Sequence, residues 1–392
     1  MLYVNTVFGW IMSGDDYVDD ENWIVAPLRA QKGRGAISNL PGRFETQTSE
    51  AVDDGWWQNE DEFGQPQSSK TFVTPEYAKT ILTRNQSPDL PFSVSLNPYR
   101  GCEHGCIYCF ARPSHSYLGL SPGLDFETRL YAKMNAAELL RAELANTNYV
   151  PDAIALGVNT DAYQPCDRKL QLTRQVLEVL HECEHPVGLI SKSSLIERDI
   201  DLLSTMAAKQ QAVAAVTITT LDHNISRTLE PRAASPQRRL QTIRRLAEAG
   251  IPVSVSVAPI IPFVTDQELE NVLAAAVDAG ATGAGYTVLR LPWEVNPLFQ
   301  EWLQTHFPES AQRVMNCIRA MRGGQDYDAK FGSRMHGEGL WAELFHQRFK
   351  KAIARLGINR SGRFRSLDTS QFRKPLFVPA RVKRDSAQMD FF

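Results

Sequence analysis

The sequence predicts an α/β protein built as a partial (β/α)6 barrel. An irregular N-terminal extension over residues 1–85 precedes the barrel of residues 86–295, and a helical region with a basic tail over 296–392 follows it. Three observations carry this. From about residue 90, short apolar runs alternate six times with amphipathic stretches. Residues 1–85 show no such period and are rich in Gly, Pro, Asn, Asp and Ser. Past Asn296 the strand-like runs stop while helical periodicity continues.

In the extension, acidic residues dominate from Asp15 to Glu21, at Asp53 and Asp54, and from Glu60 to Glu62. Partial disorder is expected there, with Trp23, Trp56 and Trp57 docked on the main domain. Lys32-Gly33-Arg34-Gly35-Ala36 reads as a flexible basic loop, either solvated or gripping a phosphate. Phe92–Leu96 is the first strand. Phe126 to Leu144 is a helix, with Leu130, Met134, Ala137 and Leu144 at helical spacing. Ala153–Gly157 is a buried strand, followed by a helix from Arg168 to Glu182. Val187–Ser191 leads to a helix from Asp199 to Ala208. Val213 to Thr220 is rich in β-branched residues. Its helix opens on Ser235-Pro236, a cap and first-turn pair, and stops at Ala249-Gly250. Val253–Val257 precedes a helix from Asp266 to Ala279, and Ala284–Leu289 is the last strand. Strictly alternating units make a parallel sheet with right-handed crossovers, and its chemistry belongs at the C-terminal ends of the strands. A flavodoxin-like open sheet is the alternative. Helices follow at about Leu298–Thr305, Glu309–Met321 and Leu340–Leu356.

The apolar share of 43% and charged share of 22% over 392 residues are those of a globular chain with a large core. No run approaches the length of a membrane span, and the start has no basic leader, so a cytoplasmic protein is expected. Net charge is −3, which excludes polyanion binding by bulk charge. From Arg348 to Arg384, however, there are twelve Lys or Arg and one acid, Asp368, with Phe364, Phe372 and Phe377 interleaved. Such a tail suits single-stranded DNA or RNA, against the plainer reading of a solvated run.

Three of the six cysteines fall in Asn97-Pro98-Tyr99-Arg100-Gly101-Cys102-Glu103-His104-Gly105-Cys106-Ile107-Tyr108-Cys109-Phe110-Ala111-Arg112, spaced C-x3-C-x2-C. Thiolates are soft ligands for iron–sulfur clusters or zinc. Three ligands leave one iron of a four-iron cube open. A zinc site completed by His104 or His115 is the other reading. Cys183 and Cys317 fall in predicted helices and read as packing.

The loop, with Tyr108 just before the last cysteine, resembles the signature of the radical S-adenosylmethionine (SAM) superfamily. The resemblance implies a [4Fe–4S] cluster on Cys102, Cys106 and Cys109, and SAM chelated by the open iron. Reductive cleavage of SAM then gives methionine and a 5′-deoxyadenosyl radical. It also implies a reducing partner of flavodoxin or ferredoxin type.

The segments after the strands are polar. The second holds Asn159-Thr160-Asp161, the third Lys192-Ser193-Ser194, and the fourth Thr217, Thr219 and Thr220. Asp161 suits the SAM ammonium, Lys192 its carboxylate, threonines the ribose hydroxyls, and the Ile260-Ile261 corner the adenine. Thr160-Asp161 and Lys192-Ser193 followed by Arg198-Asp199 look like the spore photoproduct lyase branch over about residues 90–290. There the positions matching Thr160, Lys192 and Thr217 or Thr219 contact SAM. Gly33–Ala36, Arg43-Phe44-Glu45, Asp53–Trp56 and Leu289-Arg290-Leu291-Pro292 are similar to bacterial radical SAM proteins described as photolyase-like. Two departures stand out. The lyase's hydrogen-donor cysteine is replaced at Val158-Asn159, and its second tyrosine by Phe110. Cys166 is the candidate substitute donor.

The sequence thus points to a radical SAM enzyme that takes hydrogen from a substrate, nucleic acid among the candidates. The competing class is a zinc-stabilised, non-catalytic nucleic-acid-binding protein.

Overall fold

Eight strands form the central sheet of the computed structural model, which describes residues 3–5, 24–25, 30–45, 49–53, 70–360 and 367–375. They are β1 (Leu82–Arg84), β2 (Val94–Leu96), β3 (Ile154–Leu156), β4 (Val187–Ser191), β5 (Ala212–Thr217), β6 (Val253–Ile260), β7 (Gly283–Val288) and β8 (Asn359–Arg360). They lie in that order across the sheet. From β2 to β8 every pairing is parallel, and β1 closes one edge antiparallel to β2. A flavodoxin-like sheet would reverse its order at a switch point. Here each strand follows its chain predecessor without reversal, which is the winding of a partial barrel.

Helices cover the outside: α1 (Ala136–Ala145), α2 (Leu172–Glu182), α3 (Ile200–Ala208), α4 (Pro236–Glu248) and α5 (Leu269–Asp278). The amphipathic period explains them. α2 buries Leu172, Val176, Leu177, Val179 and Leu180 against the sheet. Ser235 caps α4, its side chain accepting from Arg238 N at 3.4 Å. α6 (Val295–His306), α7 (Pro308–Ala320) and α8 (Gly339–Leu356) complete the set. α6 and α7 share a second core with Ile107 of the cysteine loop, through Leu298, Phe299, Trp302 and Val314. Cys183 and Cys317 sit in the main core.

Several expectations are corrected. The single helix over Phe126–Leu144 is three elements: a helix Leu124–Thr128, a strand Arg129–Lys133, and α1. Leu130 and Ala132 alternate inward along the strand. Its backbone pairs with Phe72–Glu76 and with Tyr99–Arg100, partners that no local period reveals. The extension is not wholly irregular either, since Tyr3–Asn5, Ile24–Val25 and Ser49–Asp53 form an antiparallel sheet. Strands this short carry no readable period. The expected disorder there, with Trp23, Trp56 and Trp57, falls outside the described residues.

The tail expectation changes as well. Residues 367–375 lie across the N-terminal side of β3 to β5. Asp368 N donates to Gln210 O (2.9 Å), Arg373 N to Cys183 O (2.8 Å) and Lys374 Nζ to Thr147 O (2.8 Å). Phe372 packs on Tyr149 and His185, with ring centroids 5.5 and 5.2 Å apart, so it is not free to stack on a base. Phe364 and Phe377 lie outside the described residues. Among the described residues no helix is long and apolar enough to cross a membrane.

Candidate active site

The cysteine loop leaves the sheet after β2 and is fixed from below before any ligand is considered. Gly101 starts it at φ +74°, in the left-handed region, where a Cβ would also meet Leu130 Cδ2 at 2.7 Å and Phe126 O at 2.8 Å. Arg112 is fully buried beneath the loop. It donates to Cys106 O (2.9 Å), Gly105 O (3.1 Å), Pro122 O (3.1 Å) and Gly123 O (2.9 Å). Its charge is matched by buried Glu127 at 2.5 Å. Glu127 also accepts from Gly35 N (3.0 Å) and Ala36 N (2.8 Å).

The Gly33–Ala36 segment is therefore neither a solvated loop nor a phosphate grip. It is a buried strap, and a Cβ on Gly35 would lie 1.9 Å from Gly105 O. The glycines that look like flexibility in the sequence serve close approach. Gln164 completes the frame, accepting from Glu103 N (2.9 Å) and donating to Gly101 O (3.2 Å).

Above this frame a cavity of about 740 Å³ opens at the C-terminal ends of the parallel strands. Cys102, Cys106, Tyr108 and Cys109 line one wall, and Asn159, Thr160, Asp161, Lys192 and Thr217 line the next. Its volume suits a cofactor with part of a substrate.

Asp161 is a latch rather than a free acceptor. Its carboxylate accepts from Ser191 Oγ (2.8 Å), Lys192 N (2.8 Å) and Tyr163 N (2.9 Å), and lies 3.3 Å from His104 Nδ1. Burial alone would raise its pKa, but His104 and these donors hold it down at about 2. The Asp161 backbone N–H in turn points to the Cys102 sulfur. Thr160 Oγ1 donates to Tyr99 O at 3.1 Å. Asn97 Oδ1 accepts from the backbones of Asn159 (2.9 Å) and Thr160 (3.3 Å).

Lys192 differs. Its ammonium stands 5.8 Å from the Tyr108 ring centroid. Burial works to neutralise it, yet the Cys106 sulfur, Glu230 and Asp161 raise its pKa. Those acids are already engaged, Asp161 by His104 and Glu230 by Arg239. Glu230 and Arg239 are a fully buried pair that also receives the Tyr108 hydroxyl and Thr219 Oγ1 (2.8 Å). Arg239 donates on to Thr217 O at 3.0 Å. Thus Lys192 carries a charge whose neighbours do not saturate it.

Three expected residues lie off the cavity lining. Thr219 is behind the wall, bonded to Glu230 and Ala258 O (3.2 Å). Ser193 turns away to accept from Leu195 N at 3.1 Å. Cys166 packs with Tyr99, Ala132 and Leu172, because the helix Asp167–Leu170 starting after it carries the chain outward. Ile260 and Ile261 are core residues, and the lining at that strand end is Ala258 and Pro259, facing Val288 and Leu289. Sequence reasoning missed His104 as a partner of Asp161, as well as the pairs Glu230–Arg239 and Arg112–Glu127. No motif announces an ion pair whose members meet only after folding.

The donor chemistry fits a thiolate-held cluster. All three cysteines are free. Burial pushes the Cys106 thiol up to about 12 and Cys102 well above its usual value, so a bound cation must supply the charge that keeps them ionised. Among the described residues no three His, Cys, Asp or Glu side chains converge on a single metal ion. Of the alternative fourth zinc ligands, His104 lines the cavity with its Nδ1 3.3 Å from Asp161, while His115 lies off the lining, its Nε2 2.9 Å from Arg129 O and its Nδ1 without a hydrogen-bond partner.

Comparison with known proteins agrees with this chemistry. The sequence profile described as the radical SAM superfamily matches residues 96–276. An uncharacterized protein of Mycobacterium bovis is 36% identical over 232 residues, 59% of this chain and 68% of the relative. One from Methanocaldococcus jannaschii is 24% identical over 249 residues, 64% and 89% of the two chains. Among solved structures, spore photoproduct lyase complexed with dinucleoside spore photoproduct superposes with a TM-score of 0.53 at 13% identity. It covers 74% of this chain and 81% of the lyase, a likeness of fold.

Proposed function

This chain belongs to the radical SAM superfamily, and on that premise we propose that it holds a [4Fe–4S] cluster on Cys102, Cys106 and Cys109, cleaves SAM reductively, and removes hydrogen from a nucleic-acid substrate. The observation that carries the reading is one cavity lined by all three cysteines and by Lys192. The cluster, reduced by a flavodoxin- or ferredoxin-type partner, supplies the electron that splits SAM into methionine and a hydrogen-abstracting 5′-deoxyadenosyl group.

The chain's own residues bind and orient. Lys192 takes the SAM carboxylate by a charge-assisted hydrogen bond. Asn159, Thr160 and Thr217 present polar atoms to the rest of the cofactor. Ala258, Pro259, Val288 and Leu289 offer an apolar wall for adenine. Asp161, Ser193, Tyr108 and Thr219 act at one remove: Asp161 fixes the Lys192 backbone, Ser193 caps the turn after it, and Thr219 and Glu230 hold Tyr108. The substrate class draws on the lyase, solved in complex with dinucleoside spore photoproduct. Photoproduct repair itself is not carried over, because Val158-Asn159 stand where the lyase has its donor cysteine and Cys166 packs away from the cavity.

Anaerobic iron–sulfur reconstitution, followed by an assay for 5′-deoxyadenosine with SAM and dithionite, tests the reading. Wild type should hold about four irons and form deoxyadenosine. Cys102→Ala, Cys106→Ala and Cys109→Ala should each lose iron and fall to background. Full activity in any of them overturns the assignment. Colourless protein with stoichiometric zinc and no deoxyadenosine returns the zinc-stabilised binding protein.

A further inference from the structure

An aromatic and arginine cluster sits on three segments, the two that leave the cavity mouth at Phe110 and Arg290 and a third that carries Arg43 and Phe44. Phe110 follows Cys109, lines the cavity, and is 49% exposed. The Arg290 guanidinium, at the end of β7, stands 5.6 Å from its ring centroid. Arg290 is bonded to neutral groups, Met335 Sδ and Tyr327 OH, each at 3.4 Å, and its buried Nε has no hydrogen-bond partner.

Three residues on, Trp293 has φ +47° and is 64% exposed. A bulky residue in the left-handed region is strained, and here the strain holds an indole out in water. The Arg43 guanidinium lies 4.2 Å from the Trp293 ring centroid, 5.0 Å from that of Phe44 and 5.3 Å from that of Tyr117. Phe44 and Tyr117 are 55% and 72% exposed, with centroids 4.9 Å apart. Buried Glu294 fastens the cluster. It accepts from Arg43 N (3.0 Å) and Ser116 Oγ (3.3 Å) and pairs with the Arg43 guanidinium at 3.5 Å.

Exposed rings gathered around one guanidinium, on segments that also carry the cavity-lining Phe110 and Arg290, match the chemistry of single-stranded nucleic acid. We infer that Phe44, Tyr117 and Trp293 form a stacking track for the bases of a single strand. Arg290 takes a phosphate, Arg43, paired with Glu294, holds the rings in place, and one nucleotide passes Phe110 into the cavity. This rests on the nucleic-acid reading above and gives it a location other than the basic tail, whose Phe372 is already docked.

The test is fluorescence anisotropy of the full chain with labelled single-stranded oligo(dT), compared with an abasic strand of equal length, at low and high salt. Trp293→Ala and Tyr117→Ala should each weaken oligo(dT) binding about tenfold, the worth of one stacked base. Trp293→Phe should keep most of it. The abasic strand should bind wild type more weakly by a similar factor. Melting temperatures confirm that the variants are folded.

Unchanged affinity in folded Trp293→Ala and Tyr117→Ala overturns the inference. So does equal binding of the abasic strand, or loss of binding in Lys383→Gln/Arg384→Gln in its place. Wild type that forms deoxyadenosine but binds no oligonucleotide sinks the track and leaves SAM cleavage standing. Binding through Trp293 without deoxyadenosine keeps the track and sinks SAM cleavage.

Discussion

The two ends of the parallel sheet are closed by opposite chemistry. On the N-terminal side of the strands, His185 lies between Tyr149 and Phe372 and is neutral. Its Nε2 accepts from the Tyr149 hydroxyl (2.7 Å), and its Nδ1 donates to Pro186 O (3.0 Å). On the C-terminal side the buried groups include the ion pairs Arg112 with Glu127 and Glu230 with Arg239, the Asp161 carboxylate facing His104, and Lys192 beyond them. Buried ion pairs are poor sources of stability, because desolvation offsets most of their attraction. An apolar filling of the same shape would hold a fold equally well. The difference teaches that one end is built for closure and the other to hold charges at fixed points, with Lys192 left to answer a ligand.

Breaking a pair at the charged end should have the largest effect. Glu127→Ala leaves Arg112 buried without its counter-charge and releases the backbone of Gly35 and Ala36. A loss of about 3–5 kcal/mol is expected in urea unfolding, with a lower iron content after reconstitution. A loss under about 1 kcal/mol, the scale of an exposed pair, would mean that neither the Glu127 charge nor its hold on the strap organises the loop.

The neutral end should fail in acid. Burial lowers the His185 pKa from 6.5 to about 4. The unfolded chain then takes up this proton first as pH falls. Stability from keeping the ring neutral is complete above pH 6.5 and lost progressively down to about pH 4. The full loss is about 3 kcal/mol. Asp161 behaves differently, because its depressed pKa of about 2 keeps its contribution until pH falls below the ordinary carboxyl value of 3.8. Unfolding at pH 7.5 and pH 4.5, in wild type and His185→Gln, separates the two. An equal pH slope in both proteins would remove His185 as the cause.

The smallest stability effect belongs to the group set apart for binding. Lys192→Met should shift unfolding by less than about 1 kcal/mol, yet raise the SAM dissociation constant of the reconstituted protein about ten- to a hundredfold, the worth of a hydrogen bond to a charged group. Calorimetric titration with SAM reads it. Unaltered SAM affinity, or a stability loss like that of Glu127→Ala, would make Lys192 one more structural ion.

Much of this was legible in the chain itself. Six alternations of apolar and amphipathic segments predicted the parallel sheet, since period is a local property, while the strand order that separates a partial barrel from a flavodoxin-like sheet came from the fold. Cys102, Cys106 and Cys109, framed by Gly101 and Gly105, were readable as candidate ligands because all three lie within one short loop. Lys192 and Asn159–Asp161 followed from their places after strands. Tertiary structure decided what depends on partners distant in sequence. It made Gly35 a point of contact rather than flexibility, Arg129–Lys133 a strand rather than a helix, and Asp161 a latch rather than a ligand. It also drew Cys166 away from the cavity and set Trp293 beside Arg43. The physical reason is common to them all. A side chain's charge state, exposure and free valence are settled by whichever groups folding brings against it, and no residue type or spacing encodes that contact.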